Sequence, residues 1–359
     1  MGVTEIHVIA PGICGPLCET GSLEQNDTVR RWVQWLSRSE EHSSYNNLDT
    51  AIAGVLDIEA VESDLPSAAL IMKAGDRYDA NRCYMQAAPV HLEADLDHAV
   101  LTPAADLSIT EGEAEALCEA LNRHFEEDGL SFERVTSDQW VVSSEEEIQI
   151  TTTTLSDAVG RNINFLLPQG VQSGYWKKIL TEAQMLMHAH DVNVRRSDSG
   201  LMTINSLWFY GAGRLPGTQM MGNNKSQQYS VCSRELLFKG VAKDLACDHL
   251  DCTSVETYID YIRSAGQAKA DKQKHVLYLP DLEHVVNYTD VMPWSRELEA
   301  LLVEWIYPLI SYANKKGIRI VIYPCNGKQY SFSKYDRWKF WRRGKLKSYI
   351  NSFQSENHH

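Results

Sequence analysis

The run Glu5-Ile-His-Val-Ile-Ala10 is apolar and stops at Pro11-Gly12, which predicts a buried first strand. Downstream, Val29, Trp32, Val33 and Leu36 recur at helical spacing, so Thr28–Leu36 reads as a helix, followed by a loop over 39–47. Ala68–Met72 is apolar throughout and ends at Gly75-Asp76, consistent with another buried strand. The middle of the chain changes character. Residues 84–101 read as two strands around a turn. Thr110 with Glu113 forms a capping-box signature opening a helix that stops near Asp128-Gly129. Leu130–Val135 and Gln139–Ser143, separated by Thr-Ser-Asp, predict a hairpin. Beyond it come a helix over about 174–189, a strand Ile204–Tyr210, a Gly- and polar-rich loop over 211–228, and strands His275–Leu279 and Ile318–Tyr323. A helix Ser295–Asn314 lies between the last two strands.

Alternation of strands and helices in the outer segments favours an α/β fold with a mainly parallel sheet and flanking helices. The helix-then-hairpin middle predicts an inserted α+β subdomain over 86–149, within a core of 1–85 and 150–359. A length of 359 residues suits that organisation.

Composition narrows the setting. No stretch approaches the ~18 consecutive apolar residues of a membrane span, and the N-terminus lacks a basic region and a sustained apolar core. A cytoplasmic protein without membrane partners is expected. The eight cysteines are scattered, which reads as reduced thiols and not a disulfide frame. Cys247-Asp-His249-Leu-Asp-Cys252 holds metal-ligand types but has no second pair at zinc-finger spacing. Net charge is −14, and residues 93–147 alone hold 16 acids against 2 arginines, so that segment carries nearly the whole imbalance. Overall acidity argues against nucleic acid as a general partner. A basic, aromatic stretch, Tyr330–Lys347, reads either as a contact for nucleic acid or an acidic partner, or as an amphipathic terminal helix packing its aromatics on the sheet.

Candidate chemistry concentrates in His188–Pro216. Asn193, Arg195, Arg196, Asn205 and Arg214 bracket a helix end, a strand and the turn Gly211-Ala212-Gly213. An arginine pair there could hold a phosphate or carboxylate. The same residues could instead serve the fold, with the asparagine capping a turn and the arginines pairing with Asp191 and Asp198. His188 and His190 lack evident carboxylate partners, His91 and Asp95-x-Asp97-His98 are further ligand candidates, Cys14-x-x-x-Cys18 stands alone in a Gly/Pro-rich loop, and no Gly-x-Ser-x-Gly elbow is present.

The 188–216 run resembles a His-Pro-Val-Asn, basic pair, Gly, Asn, apolar strand, Gly-x-Gly series in archaeal-type cofactor-independent phosphoglycerate mutases. Ile6–Gly12, Leu107–Phe125 and Thr153–Pro168 resemble further segments of that family. Pro89-Val-His-Leu92, Glu182-Ala-Gln-Met185 and Phe340-Trp-Arg-Arg343 are similar to a bacterial branch of regulatory proteins encoded in clusters for regulation of pathogenicity factors. The resemblance implies an alkaline-phosphatase-like fold. It also implies chemistry with two divalent metals held by Asp and His, a transiently phosphorylated Ser, and arginines gripping the substrate.

Several positions depart from that pattern. Ala10-Pro11-Gly12 offers no carboxylate after the first strand, and Pro324-Cys325-Asn326-Gly327 replaces the Asp-His pair after the last. Asp281-Leu-Glu-His284 keeps ligand types at altered spacing, Ser156 stands where His is usual beside Asp157, and Gln139-Trp140 replaces a Tyr-Arg grip. Ser43-Ser44 reads as solvated loop and not as a nucleophile. The expectation is a catalytically degenerate relative with no metal or other cofactor, a binding or regulatory module for a small anionic ligand or a protein partner. The alternative is an active phosphoglycerate mutase or related phosphatase working through a Ser nucleophile.

Overall fold

Strand β1 (Glu5–Ile9) lies at the centre of the first sheet, with four of its five residues buried. The computed structural model describes residues 5–15, 26–58, 64–94, 99–159, 161–216, 228–268, 273–280, 282, 291–339 and 341–342. The chain divides into two units, Met1–Glu59 with Met221–His359, and Ala60–Met220.

In the first unit, β1 pairs in parallel with β10 (Gln273–Tyr278) on one side and β11 (Arg319–Tyr323) on the other, so the predicted first and last strands share one sheet. Beyond β10 lie β8 (Gln228–Cys232) and β9 (Asp248–Leu250), both parallel. Beyond β11 lie β12 (Lys328–Phe332) and β2 (Glu40–Ser43), both antiparallel. The chain is therefore mixed α/β, with a mainly parallel seven-stranded sheet among the described residues.

Helices α1 (Asp27–Arg38), α9 (Val255–Ala268), α10 (Val291–Leu301) and α11 (Tyr307–Lys316) contribute Trp32, Leu36, Tyr258, Trp294 and Leu309 to a core with Ile6, Val8, Leu277 and Ile322. Asn26 starts α1 by accepting from the backbone N–H of Thr28 at 2.9 Å and Val29 at 3.2 Å, which satisfies donors a helix start leaves unpaired. Helices α2 (Leu48–Val55) and α8 (Leu236–Leu245) also belong to this unit.

The second unit has its own antiparallel sheet, built on the long strand β3 (Cys83–Ala94). It pairs with β4 (Ala99–Pro103), β6 (Trp140–Ser144) and β7 (Ser206–Gly213), and β5 (Ser131–Arg134) adds to β6. Helices α3 (Ser67–Ala74), α4 (Glu111–His124), the short α5 (Leu155–Ala158), α6 (Ser173–His188) and α7 (Asp191–Asp198) belong here. Trp140, Trp176, Phe125 and Phe209 fill its core.

Five expectations are corrected. The second unit takes in residues 60–85 and 150–220, not 86–149 alone, because β7 pairs with β3 from Val90 to Tyr84 and draws the preceding helices with it. The predicted strand 204–210 is thus β7 of the antiparallel sheet, not a strand of the parallel frame. Ala68–Met72 lies in helix α3. An all-apolar run has no period to distinguish strand from helix, and Ala-rich composition favours the helix. Within 39–47, Glu40–Ser43 is an exposed edge strand, held by backbone pairing that an all-polar run does not advertise. Tyr330–Phe332 belongs to β12, whose alternate residues Tyr330 and Phe332 are buried. The chain next folds around Asp336, whose carboxylate accepts from the N–H of Ser333 at 2.7 Å and its hydroxyl at 3.0 Å. Tyr335, Trp338 and Trp341 are exposed, so no terminal helix packs these aromatics. Phe340 and residues 343–359 lie outside the described residues.

Candidate functional site

Three of the five residues expected to grip an anion are internal ties of the second unit. Asn193 is buried. Its amide donates to the carbonyls of Met187 at 2.7 Å and Ile204 at 2.8 Å and accepts from the Ile204 N–H at 2.7 Å, fastening the end of α6 to the approach of β7. Arg196, 2% exposed, donates to the Met202 and Leu107 carbonyls and to both oxygens of Glu113 at 3.0 and 3.1 Å. Glu113 is also the capping-box residue of α4. Against the opposing pull of burial, bonds from Thr110 and Arg196 hold its carboxyl below the usual range. Asn205 exchanges two hydrogen bonds with the backbone of Leu92, at 2.7 and 2.9 Å, and so extends the β3–β7 ladder by one side chain.

Arg195 and Arg214 are exposed, and Arg214 donates to the Glu145 carbonyl. The partners of these side chains are spread over α4, β3, the end of α6 and the loop after β6. They do not converge on a common pocket. Asp191 and Asp198, offered as alternative partners of the arginines, are replaced in that role by Glu113 for Arg196.

The Gly-Ala-Gly turn has a steric explanation. Gly211 has φ +65°, and a Cβ there would overlap the Ser67 hydroxyl; at Gly213 it would lie 2.9 Å from Pro66 Cβ. The two glycines let the start of α3 rest directly on β7. Ser67 then accepts from Gln86 Nε2 at 2.8 Å, Gln86 Oε1 accepts from the Tyr210 hydroxyl at 2.8 Å, and the Gly211 N–H donates to the Thr152 hydroxyl at 3.2 Å. Thr152 also bonds Asp64, whose carboxyl burial pushes up. This is a closed polar seam.

In the first unit, the turns that follow β1 and β11 lie side by side. The Ala10 N–H donates to the Tyr323 carbonyl at 3.0 Å and the Gly12 N–H to the Pro324 carbonyl at 3.3 Å. The side chains that these turns offer are Pro11, Ile13, Cys14, Pro324, Cys325 and Asn326. Burial pushes the Cys14 thiol up to about 12, so it stays protonated and a poor metal ligand. Neither turn carries a carboxylate or imidazole, so the residues present do not fit the two-metal centre that the resemblance implies. Among the described residues, no group of three or more His, Cys, Asp or Glu is placed to hold a metal ion. Asp281 and His284, like Asp95, Asp97, His98 and Cys18, lie outside those residues.

The other positions singled out in the sequence have local roles. Ser43 is exposed on β2, and Ser44 donates to Gln329 Oε1 at 3.2 Å. Ser156 lies 3.2 Å from the Thr154 hydroxyl, which caps α5 together with Asp157. Trp140 is fully buried and donates its indole N–H to the Ser137 carbonyl at 3.0 Å, a core position. His190 caps α7 by accepting from the Val192 N–H at 3.2 Å, His188 is exposed, and His91 bonds the Thr203 carbonyl at 2.8 Å.

Sequence reading missed the densest set of ionisable groups. On one face of the parallel sheet, His7 Nδ1 meets the Tyr323 hydroxyl at 2.9 Å and His7 Nε2 lies 3.5 Å from Glu5. Arg319 approaches Glu5 at 3.8 Å, and Asp57 accepts from Lys274 at 2.8 Å and from Tyr229 at 2.5 Å. The bond from His7, working against burial, holds Glu5 below the usual carboxylate range. Burial alone would raise Asp57, but Lys274 and Tyr229 bring it below. Two carboxylates and two cations balance, so the cluster has no bias toward an anion. On the opposite face His275 is 1% exposed and shares a hydrogen bond with Ser230 at 2.7 Å; burial lowers its pKa to about 4. The signal for both was a histidine inside an otherwise apolar strand.

Comparison with known proteins follows from this geometry. No protein-family model matches the chain. It is 25% identical over 179 residues to the 2,3-bisphosphoglycerate-independent phosphoglycerate mutase of Methanosarcina barkeri, covering 49% of this chain and 44% of that protein. It is 23% identical over 154 residues to the enzyme of the same name from Methanosarcina mazei, covering 42% and 39%. The match therefore spans less than half the length of these curated relatives. Among solved structures, the PH0037 protein from Pyrococcus horikoshii has the same fold, with a TM-score of 0.54 at 12% identity over 97% of this chain and 93% of that one.

Proposed function

We propose that this chain is a phosphoglycerate-mutase-like protein without phosphoryl-transfer chemistry, a cytoplasmic binding or regulatory module for a small anionic ligand or a protein partner. The observation that carries this reading is the pair of turns after β1 and β11, hydrogen-bonded to each other yet devoid of carboxylate and imidazole. Without metals, the two-metal route to serine activation and to charge stabilisation of a transferring phosphoryl group is missing. Residues 193, 196 and 205 are assigned to the scaffold, since their polar groups are already bonded internally. The regulatory role rests on the likeness of Pro89-Val-His-Leu92 and Phe340-Trp-Arg-Arg343 to the bacterial regulatory branch.

A second reading, an active mutase or related phosphatase, is favoured by the names of the methanogen relatives. A coupled assay for interconversion of 3- and 2-phosphoglycerate, with and without added Mn²⁺, separates the two. The expected rate equals the protein-free blank in both conditions. Mn²⁺-dependent turnover that disappears in one member of a Ser-to-Ala series would establish the enzyme reading.

A further inference from the structure

An open groove of about 460 Å³ is lined by residues of α1, α11 and β12. Its lining combines three cations, Arg31, Arg38 and Lys315, with an aromatic floor of Trp35, Tyr307 and Phe332; the remaining lining residues are uncharged. Among the described residues no carboxylate lines it. That is unexpected in a chain with 48 acids and 34 Lys or Arg, where cations elsewhere on the first unit, Lys274, Lys328 and Lys339 among them, pair with acids. Among the described residues none of the three groove cations has a carboxylate partner.

Two donors are left over. Arg38 Nε and Trp35 Nε1 are buried and have no hydrogen-bond partner, and Trp35 itself is only 8% exposed. A buried N–H without a partner is destabilising, so an acceptor supplied there would be stabilising. The floor is rigid: Trp35 stacks on Trp32 at 5.2 Å and meets Phe332 at 4.8 Å. The Arg31 guanidinium carbon lies 4.3 Å from the Tyr307 ring centroid, a cation–π contact. Tyr307 is itself pinned by donating to the Thr28 carbonyl at 2.6 Å.

We infer that this groove binds a small organic anion, a carboxylate or phosphate on a flat apolar body, with Arg38 and Lys315 holding the charge and Trp35 and Phe332 the body. A groove of this volume accommodates a compact organic molecule. Charge and apolar surface are both needed, because the acidic chain as a whole repels anions and an apolar ligand alone would leave the donors unpaired. The inference does not depend on whether the chain turns over phosphoglycerate, since the groove shares no lining residue with the turns after β1 and β11.

Calorimetric titration of the full chain with phenyl phosphate, inorganic phosphate and benzyl alcohol tests it. Phenyl phosphate should bind one to one, at least about fivefold more tightly than inorganic phosphate, with no measurable binding of benzyl alcohol. Arg38→Met and Lys315→Met should each weaken phenyl phosphate by about tenfold. Lys177→Met, an exposed cation on the other unit, should change nothing. Lys315 is exposed on its helix, so its variant keeps the test valid if Arg38→Met fails to fold. Absence of saturable binding by phenyl phosphate overturns the inference. Equal affinity for inorganic phosphate or benzyl alcohol, or unchanged affinity in Lys315→Met, overturns it as well.

Discussion

Asn193 and Arg195 stand two residues apart and serve opposite purposes. Deleting the Asn193 amide leaves the Met187 and Ile204 carbonyls and the Ile204 N–H buried with one partner fewer each. Urea unfolding of Asn193→Ala should therefore show a loss of about 3 kcal/mol, while Arg195→Ala stays within about 0.5 kcal/mol of the parent. Equal effects would show that the buried amide is not a structural tie. The sequence displayed both residues as polar. What separates them is helical phase, since Val192, Asn193 and Arg196 share the buried face of α7 while Arg195 faces out. His275 gives a pH prediction. Its folded pKa, about 4, lies below the unfolded value, so the folded state binds fewer protons between the two. Stability from this group is complete above about pH 6.5 and is lost as pH falls toward 4, by on the order of 3 kcal/mol. Denaturant melts at pH 7 and pH 5 should show a smaller drop for His275→Gln, which can still bond Ser230; an equal drop would place the acid sensitivity elsewhere.

Elements with strong local signals were legible. The Thr110–Glu113 capping box opens α4 as its spacing indicates, the apolar stripe of α1 is buried, and the hairpin of β5 and β6 turns where Thr-Ser-Asp interrupts two apolar runs. Elements defined by their neighbours were not. Glu40–Ser43 becomes a strand only because β12 presents a free edge, and Ala68–Met72 is apolar on every side whichever conformation it takes. The approach of α3 to β7 depends on Gly211 more than on any apolar contact visible in the sequence. Gly211→Ala must leave a left-handed φ and displace Ser67, disturbing the Gln86 and Thr152 bonds. A stability loss of about 2 kcal/mol or more is expected by thermal or urea unfolding. A neutral substitution would show that the seam tolerates separation and that the glycine was kept for another reason.

Across the whole chain, the parallel order of β1, β10 and β11 was implicit in the alternation of strands and helices, but the division into units was not. Ile204–Tyr210 has the composition of any buried strand, and only its pairing with β3 over a separation of more than a hundred residues assigns it to the antiparallel sheet. The same limit removes one premise of the anion-site reading, because the argument for residues 193–214 relied on the carboxyl edge of a parallel sheet to which β7 does not belong. The absence of ligand side chains after β1 and β11 was legible, and the structure adds that those turns are neighbours. The central claim is that this scaffold does not assemble a two-metal phosphoryl-transfer centre. Elemental mass spectrometry of the full chain, purified without chelator or a metal-affinity tag and dialysed against Mn²⁺ and Zn²⁺ before desalting, tests it most directly. The account predicts well below one equivalent of either metal per chain, whereas two tightly held equivalents would contradict it.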